Sequence, residues 1–241
     1  MLVHGTAGDH TVWDFVRPAL EEHHTVYAMD RRGYGASGDA DEYALEREFE
    51  DVAAVVESID EPVVLFGHSF GAFISLEAAL WTDNLRQLIL YGPPIFSYRD
   101  RESIHEAKLP EMKALHDAGE CEQMIVFFLR EVAELPPAAI EEMRAAPDWQ
   151  DTVDSAHAVF REIRAETEYE FDPARFADVD IPTLLLSGSE SPARFHVTVG
   201  AIDVALPDSR ITTLEGQGHA GISTAPDQVS EEVLAFIRES G

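Results

Sequence analysis

The chain has 241 residues, of which 17 are Lys or Arg and 46 are Asp or Glu, so its formal net charge is −29. Duplex nucleic acid and anionic membranes are excluded as partners, because both are bound through Lys and Arg that neutralise phosphates. Disorder is excluded as well, since 45% of the residues are hydrophobic and they recur in periodic runs. The acidic surface and the scarcity of lysine, with only Lys108 and Lys113, indicate a salt-rich cytosol; an ordinary acidic protein is the alternative.

The sequence predicts a cytoplasmic protein without a metal site. Cys121 is the only cysteine, so no intrachain disulfide can form and a reducing cytoplasm is the simplest setting. Residues 1–5 do not form a signal peptide, and no apolar run approaches the ~20 residues of a membrane span. No H-E-x-x-H or Cys-His spacing occurs, so we expect neither a metal nor another cofactor.

Short β-rich runs alternate along the chain with segments of helical periodicity. Strands are predicted at Leu2–His4, Thr25–Met29, Val63–Phe66, Gln87–Tyr91, Thr183–Leu186 and Ile211–Leu214. Helices are predicted at Val12–Glu22, Tyr43–Ile59, Phe70–Leu80, Arg194–Ala205 and Pro226–Arg238. This alternation predicts an α/β fold with a mostly parallel sheet and helices on both faces.

Residues 93–180 depart from this alternation, because they contain no convincing strand. Helical periodicity recurs there at Cys121–Ala133, Ala138–Ala145 and Asp151–Ala165. We therefore predict a core made of residues 1–92 and 181–241, and a helical lid made of residues 93–180 that covers the carboxyl edge of the sheet.

A candidate nucleophile follows the third predicted strand. The run Val63–Phe66 leads into Gly67-His68-Ser69-Phe70-Gly71 and then directly into a helix, which is G-x-S-x-G between a strand and a helix. Such a turn exposes its serine above the sheet edge, and the glycines avoid collisions with the neighbouring strand and helix. Ser69 is thus predicted to be a nucleophile; the alternative is an idle serine in a glycine-packed turn.

The best-placed base for Ser69 is His219. It lies in Gly216-Gln217-Gly218-His219, after the last strand and before the final helix, where a loop can return to the carboxyl edge. His68 adjoins Ser69 in sequence, but neighbouring side chains on such a turn point apart, so His68 is expected to pack or to shape the pocket.

The base needs an orienting carboxylate, and Glu190 is the candidate. It follows the strand Thr183–Leu186 and lies between Ser69 and His219 in chain order. In a chain with 46 acidic residues a loop carboxylate is usually only a solvated surface group, so Asp100 and Glu102 stay open as alternatives.

Acyl transfer also needs hydrogen-bond donors for the developing oxyanion. The backbone N–H of Phe70, directly after the nucleophile, is one predicted donor. The other is expected from the loop after the first strand, His4–Gly8, where Thr6 is the candidate. An ordinary tight turn is the alternative for that loop.

Five motifs occur in the order found in one known family. They are H-G-x-x-G at His4–Gly8, D-R-R-G-Y-G-A-S at Asp30–Ser37, the serine turn at Gly67–Gly71, G-x-E at Gly188–Glu190 and G-x-G-H at Gly216–His219. Outside residues 93–180 the chain therefore resembles the α/β-hydrolase superfamily. The resemblance implies the α/β-hydrolase fold and cofactor-free hydrolysis of an ester, lactone or related acyl bond.

The sequence departs from the family pattern at three points. Ser191 occupies the usual position of the acidic residue, and Gly92 occupies a position where similar proteins often carry an acid. The family's first two strands are also missing, which predicts that Thr25–Met29 is an exposed edge. Either the start lies too far downstream, or this is a trimmed sheet that pairs with another chain as a homodimer.

The run Gly33–Gly38 also matches G-x-G-x-x-G, a dinucleotide-binding fingerprint. A pyrophosphate there would meet Asp39, Asp41 and Glu42 at the start of the next helix, where like charge opposes binding. A dehydrogenase is therefore disfavoured.

The sequence favours a serine hydrolase that acts on a small apolar acyl substrate, given the lid residues Phe127, Phe128, Trp149 and Phe160. Two alternatives stay open. One is C–C lyase or cofactor-free haloperoxidase-like chemistry on the same scaffold, and the other is a catalytically weak ligand-binding protein.

Overall fold

A computed structural model of the chain describes residues 1–40, 42–95 and 104–239. Its strands form one six-stranded sheet in the order β2-β1-β3-β4-β5-β6, and every neighbouring pair is parallel. The strands are β1 (Leu2–Val3), β2 (Ala28–Met29), β3 (Val63–His68), β4 (Leu85–Tyr91), β5 (Thr183–Gly188) and β6 (Ser209–Leu214). The predicted parallel sheet is confirmed.

Helices cover both faces of this sheet, as the alternation predicts. They are α1 (Arg17–Glu21), α2 (Leu45–Glu57), α3 (Phe70–Ala78), α9 (Ala193–Ala205), α10 (Gly221–Thr224) and α11 (Pro226–Glu239). Buried residues of α2, α3 and α9 share one hydrophobic core, and those of α1 and α11 share another. None of the described helices is long and apolar enough to cross a membrane.

The central strands are apolar on both sides because each side meets a layer of helices. In β4, Leu88 and Leu90 belong to the core with α2 and α3, whereas Ile89 and Tyr91 belong to the core with α1 and α11. Successive side chains of a strand point to opposite faces, so a strand buried on both faces becomes a continuous apolar run.

Five helices in the described part of the chain lie between β4 and β5. They are α4 (Ile104–Asp117), α5 (Cys121–Glu131), α6 (Pro137–Ala145), α7 (Trp149–Asp154) and α8 (Ala156–Glu168). We call this segment the helical insertion. Its own hydrophobic core also takes in Ala7 and Tyr34 from the loops at the sheet edge. Sequence periodicity missed α4 and joined α7 to α8.

The predicted helix Val12–Glu22 is shorter and broken in the structure. A 3₁₀ turn occupies His10–Trp13, and α1 begins only at Arg17. Asp9 accepts the amide of Thr11 at the start of the turn, and Pro18 occupies the first turn of α1. Proline suits a helix start and interrupts a helix interior, so it favours a new helix here over a continuous one.

The strand predicted at Thr25–Met29 is reduced to Ala28–Met29, and it lies at the edge of the sheet as expected. Its only neighbour among the described strands is β1, which pairs Leu2 with Ala28 and Val3 with Met29. On its other side β1 pairs with β3. The chain therefore leaves β1 towards one edge and returns on the opposite side, which creates a crevice between the loops that follow β1 and β3.

Candidate active site

Ser69 lies at that crevice, directly after β3 and before α3. Its backbone has φ 54° and ψ −127°, a strained conformation for a residue with a side chain. A Cβ on Gly67 would lie 2.4 Å from the Gly71 carbonyl oxygen, and a Cβ on Gly71 would lie 2.2 Å from that of Val3. Glycine at both positions therefore lets the turn close against α3 and β1, which is the geometry of a nucleophile elbow.

The loop after β1 passes directly beside this serine. A Cβ on Gly5 would lie 2.8 Å from the Cβ of Ser69 and 3.4 Å from its Oγ. Thr6 comes next in this loop, while Phe70 is the first residue of α3, whose amide has no acceptor within the helix. The structure thus places Phe70 directly after Ser69 and brings Gly5, the residue before Thr6, against Ser69.

His4 fixes the shape of this loop. Its Nδ1–H donates to the carbonyl of Gly5 at 2.8 Å, and its Nε2 accepts the backbone N–H of Arg31 at 3.0 Å. Burial, together with the nearby Arg31 charge, lowers the pKa of His4 to about 3, so the ring stays neutral and keeps one donor and one acceptor.

His219 reaches the same edge through hydrogen bonds to its loop. His68 donates from Nε2 to the His219 carbonyl at 2.8 Å, and Tyr91 donates its hydroxyl to the Gly218 carbonyl at 2.6 Å. The Tyr91 oxygen also accepts the amide of Gly221 at 3.2 Å. His68 and Tyr91 end β3 and β4, so they anchor the loop to the strands beside the nucleophile.

The imidazole of His219 is in a state suited to a base. Its ring stacks on Phe195 with centroids 4.0 Å apart, and the His68 ring lies 4.9 Å away. Burial lowers the pKa of His219 well below 6.5, and His68 and Arg194 lower it further. The ring is therefore neutral at neutral pH and able to accept a proton.

The predicted acid is close to His219 in the backbone but not in the side chain. The Glu190 amide donates to the Gln217 carbonyl at 2.8 Å, which ties the two loops together. The Glu190 side chain is exposed, however, and Nδ1 of His219 has no hydrogen-bond partner among the described residues. Asp100 and Glu102, the alternative acids, lie outside the described residues.

Gly92 faces Nδ1 of His219, the nitrogen without a partner among the described residues. Its φ is +57°, and an added Cβ would lie 2.6 Å from Nδ1 and 2.8 Å from Cε1 of His219. The position that the sequence marks as a departure from the family therefore lies against the imidazole of His219, the predicted base. Its lack of a side chain makes room for the imidazole.

A cavity of about 200 Å³ lies between the loop after β1 and the helical insertion. Ala7, Gly8 and Tyr34 line one side, and Met143 and Trp149 line the other. Of the four aromatic residues singled out in the sequence, Phe128 and Phe160 are buried in the core of the insertion, Phe127 packs against that core, and Trp149 lines the cavity. A larger cavity of about 560 Å³ lies at the amino ends of the strands, away from Ser69.

One cluster has the composition of a metal site. Single ligand atoms of Asp9, His10 and Asp30 lie within 4.8 Å of one another. Asp30 is already engaged, because its carboxylate accepts the His10 amide and Nδ1 at 2.8 Å each and the Ala36 amide at 2.9 Å. The loop that carries the G-x-G-x-x-G match closes on Asp30, since a Cβ on Gly35 would lie 2.4 Å from that carboxylate. These contacts explain His10 and Asp30 as residues that hold the two loops together, without a metal ion.

Sequence reasoning missed the roles of Tyr91 and Phe195. Tyr91 reads as the end of a buried strand, and Phe195 as one apolar residue of a helix. Each contacts the His219 loop across a long sequence distance, 127 residues in the case of Tyr91 and Gly218. Neither forms a local motif that could have been recognised.

Comparisons with known proteins agree with this geometry. The model of the alpha/beta hydrolase family matches residues 1–232. A crystal structure of an alpha/beta hydrolase from Sphaerobacter thermophilus shares 31% identity with a TM-score of 0.82, covering 98% of this chain and 91% of that one. The structure of MenH from S. aureus has a TM-score of 0.83 at 18% identity, covering 99% and 92%, and so it supports the fold alone.

Two relatives are similar over nearly the whole chain. The pimeloyl-[acyl-carrier protein] methyl ester esterase of Aeromonas hydrophila is 26% identical, covering 98% of this chain and 94% of its own length. The dihydrolipoyllysine-residue acetyltransferase component of the acetoin cleaving system of Pseudomonas putida is 28% identical over 99% of this chain, which spans 63% of that relative. Because the family model matches residues 1–232, this chain belongs to the alpha/beta hydrolase family.

Proposed function

We propose that the protein is a serine hydrolase that cleaves an ester, lactone or related acyl bond of a small apolar substrate. The observation that carries this proposal is the strained turn at Ser69, at the same sheet edge as the half-buried, neutral imidazole of His219. A carboxylesterase or lactonase needs a nucleophile, a base and an oxyanion hole, and it needs no cofactor.

In this mechanism Ser69 attacks the acyl carbon while His219 accepts the hydroxyl proton and later donates it to the leaving group. The amides of Thr6 and Phe70 stabilise the oxyanion, and one such donor is typically worth about 3 kcal/mol in the transition state. Glu190 is the proposed carboxylate partner of His219. This role requires its side chain to turn inward from the loop that already bonds to Gln217.

The similarity to a methyl ester esterase supports ester hydrolysis in particular. The apolar side chains of the helical insertion support a small acyl group, and Trp149 and Met143 line a cavity of about 200 Å³ beside the loop after β1, although Ser69 and His219 do not line it. We propose that residues 93–180 act as the lid that selects this group.

Active-site labelling tests the proposal. A fluorophosphonate probe is expected to label the folded protein at Ser69, as mapped by mass spectrometry, and to leave a Ser69→Ala variant unlabelled. Hydrolysis of p-nitrophenyl esters and lactones, measured in high and low salt, then identifies the substrate class. A folded protein that is not labelled at Ser69 would refute the mechanism, and product analysis separates hydrolysis from C–C lyase or haloperoxidase-like chemistry.

A second candidate is ligand binding with little or no turnover. It is favoured by the Nδ1 atom of His219, which lacks a partner in the described part of the chain. An imidazole without an orienting group is a poorer general base. This alternative predicts that the same esters raise the melting temperature without being hydrolysed.

We also propose a salt-rich cytoplasm as the working environment and a homodimer that pairs through the edge strand β2. The charge of −29 supports the first, since salt screens self-repulsion at such a surface. The edge position of β2 and the exposed Tyr27 beside it support the second. Unfolding and light scattering as functions of KCl concentration test both, and a monomer that is insensitive to salt contradicts them.

A further inference from the structure

An ion pair joins the helical insertion to the core beside the nucleophile. Arg31 follows β2, and its Nη2 donates to Oε1 of Glu162 in α8. Both side chains have 0% exposure. The two residues lie 131 positions apart in the sequence, so only the folded structure brings them together. Arg161 of α8 also bonds to Asp39 at 2.7 Å. This exposed contact joins α8 a second time to the loop after β2, which contains both Arg31 and Asp39.

This pair is connected to both segments that carry the proposed oxyanion-hole residues, Phe70 and Thr6. The guanidinium carbon of Arg31 lies 5.0 Å from the ring centroid of Phe70, within the range of a cation–π interaction. Thr6 lies near enough to Glu162 to lower the pKa of that carboxyl, which opposes the upward shift caused by burial. The Arg31 backbone N–H also holds Nε2 of His4, at the start of the loop that contains Thr6.

We propose that the Arg31–Glu162 ion pair is a positioning unit that fixes the amides of Thr6 and Phe70 for the oxyanion only when the helical insertion is docked on the core. This inference rests on the serine-hydrolase function proposed above. Neither side chain is a catalytic residue, because both are fully buried behind the loops that face Ser69.

A contribution to folding stability does not by itself explain why the Arg31–Glu162 ion pair is buried. Burying two charges costs several kcal/mol per ion before their attraction is counted, and a well-packed apolar pair of similar volume is often at least as stable. Burial raises the pKa of Glu162, and the Arg31 charge beside it opposes that shift. The position of the pair is better explained by what Arg31 contacts, because its guanidinium lies over the Phe70 ring and its backbone N–H bonds to His4.

The experiment replaces the pair by two methionines. The Arg31→Met/Glu162→Met variant removes both charges of the pair at once, and Glu48 keeps Arg32 and Arg161 as nearby cations. It is therefore expected to fold, so its kinetics can be measured. With a p-nitrophenyl ester that the parent hydrolyses, kcat is expected to fall by about 10- to 100-fold with KM nearly unchanged, since the donors are displaced and not removed. Binding of phenylboronic acid, which forms a tetrahedral adduct on a serine, is expected to weaken by a similar factor.

A second ion pair provides the matched control. Arg175 bonds through two nitrogens to the fully buried Glu77 of α3, at 3.0 and 2.8 Å, and its described contacts include Tyr169 and Phe176 but neither Thr6 nor Phe70. The Arg175→Met/Glu77→Met variant is expected to change the melting temperature while it keeps the parental kcat.

The outcomes separate this inference from the function on which it rests. If the parent is active and the Arg31→Met/Glu162→Met variant retains its kcat and its affinity for phenylboronic acid, the pair is structural only and the inference is overturned. If both double variants lose kcat in equal measure, the effect is general and the inference is likewise overturned. A parent that neither labels at Ser69 nor hydrolyses any ester refutes the proposed function, and this inference falls with it.

Discussion

Replacing Gly92 by alanine is expected to displace His219, the proposed catalytic base, without contacting Ser69, the proposed nucleophile. The added Cβ would lie 2.6 Å from Nδ1 of His219, whereas ordinary contacts begin near 3.4 Å, so the imidazole must retreat by about 0.8 Å. A misplacement of about 1 Å can cost about 100-fold in rate. We therefore expect kcat/KM to fall by roughly 30- to 100-fold. The positive φ of +57° adds a destabilisation of about 1 kcal/mol.

The assay is hydrolysis of a p-nitrophenyl ester, together with urea unfolding of the same samples. Gly119→Ala is the matched control, because Gly119 has a φ of +71° but nothing within 4 Å of an added Cβ. It should carry the same backbone cost and keep the parental activity. A Gly92→Ala variant with the parental kcat/KM would show that His219 is not the base or that its position is not critical.

Three further predictions concern the proposed catalytic residues. Ser69→Gly should abolish fluorophosphonate labelling and raise the free energy of unfolding by about 1 kcal/mol, because it relieves a positive φ of 54°; a less stable variant in urea contradicts the strain argument. Glu190→Gln should lower kcat by about 10³-fold or more if Glu190 orients His219; parental kcat would transfer the role elsewhere, and Asp100→Asn and Glu102→Gln then identify the acid. Because burial lowers the pKa of His219 below 6.5, the neutral base persists under mild acid, so kcat/KM should still be on its plateau at pH 6.5 and fall only at lower pH; a midpoint at or above 6.5 argues against it.

Local sequence patterns were enough to predict the strand, turn and helix around Ser69 at the carboxyl edge of the sheet. The run Val63–Phe66 and the glycines around Ser69 specify a strand, a sharp turn and a helix within a few residues. Their predicted arrangement is confirmed in the described structure. Where the pattern failed, as at Val12–Glu22, apolar periodicity concealed a break that Pro18 already marked.

Carboxylates are where sequence reasoning was weakest. A chain with 46 acidic residues offers many candidates, and nothing local separates a solvated group from one that bonds to a histidine. Glu190 lies on a loop that bonds to the His219 loop, but the sequence could not predict that its side chain is exposed. Glu162 was overlooked altogether, because the contact that makes it distinctive is with Arg31.

The sequence by itself determined the parallel α/β sheet, the turn at Ser69 and the family, because strand and helix preferences and turn glycines act over a few residues. Only the tertiary structure decided what surrounds the imidazole of His219, which Phe195 stacks against, Tyr91 anchors through its loop and Gly92 leaves room for. These contacts join segments up to 127 residues apart, and packing of the whole chain, not any local preference, brings them together.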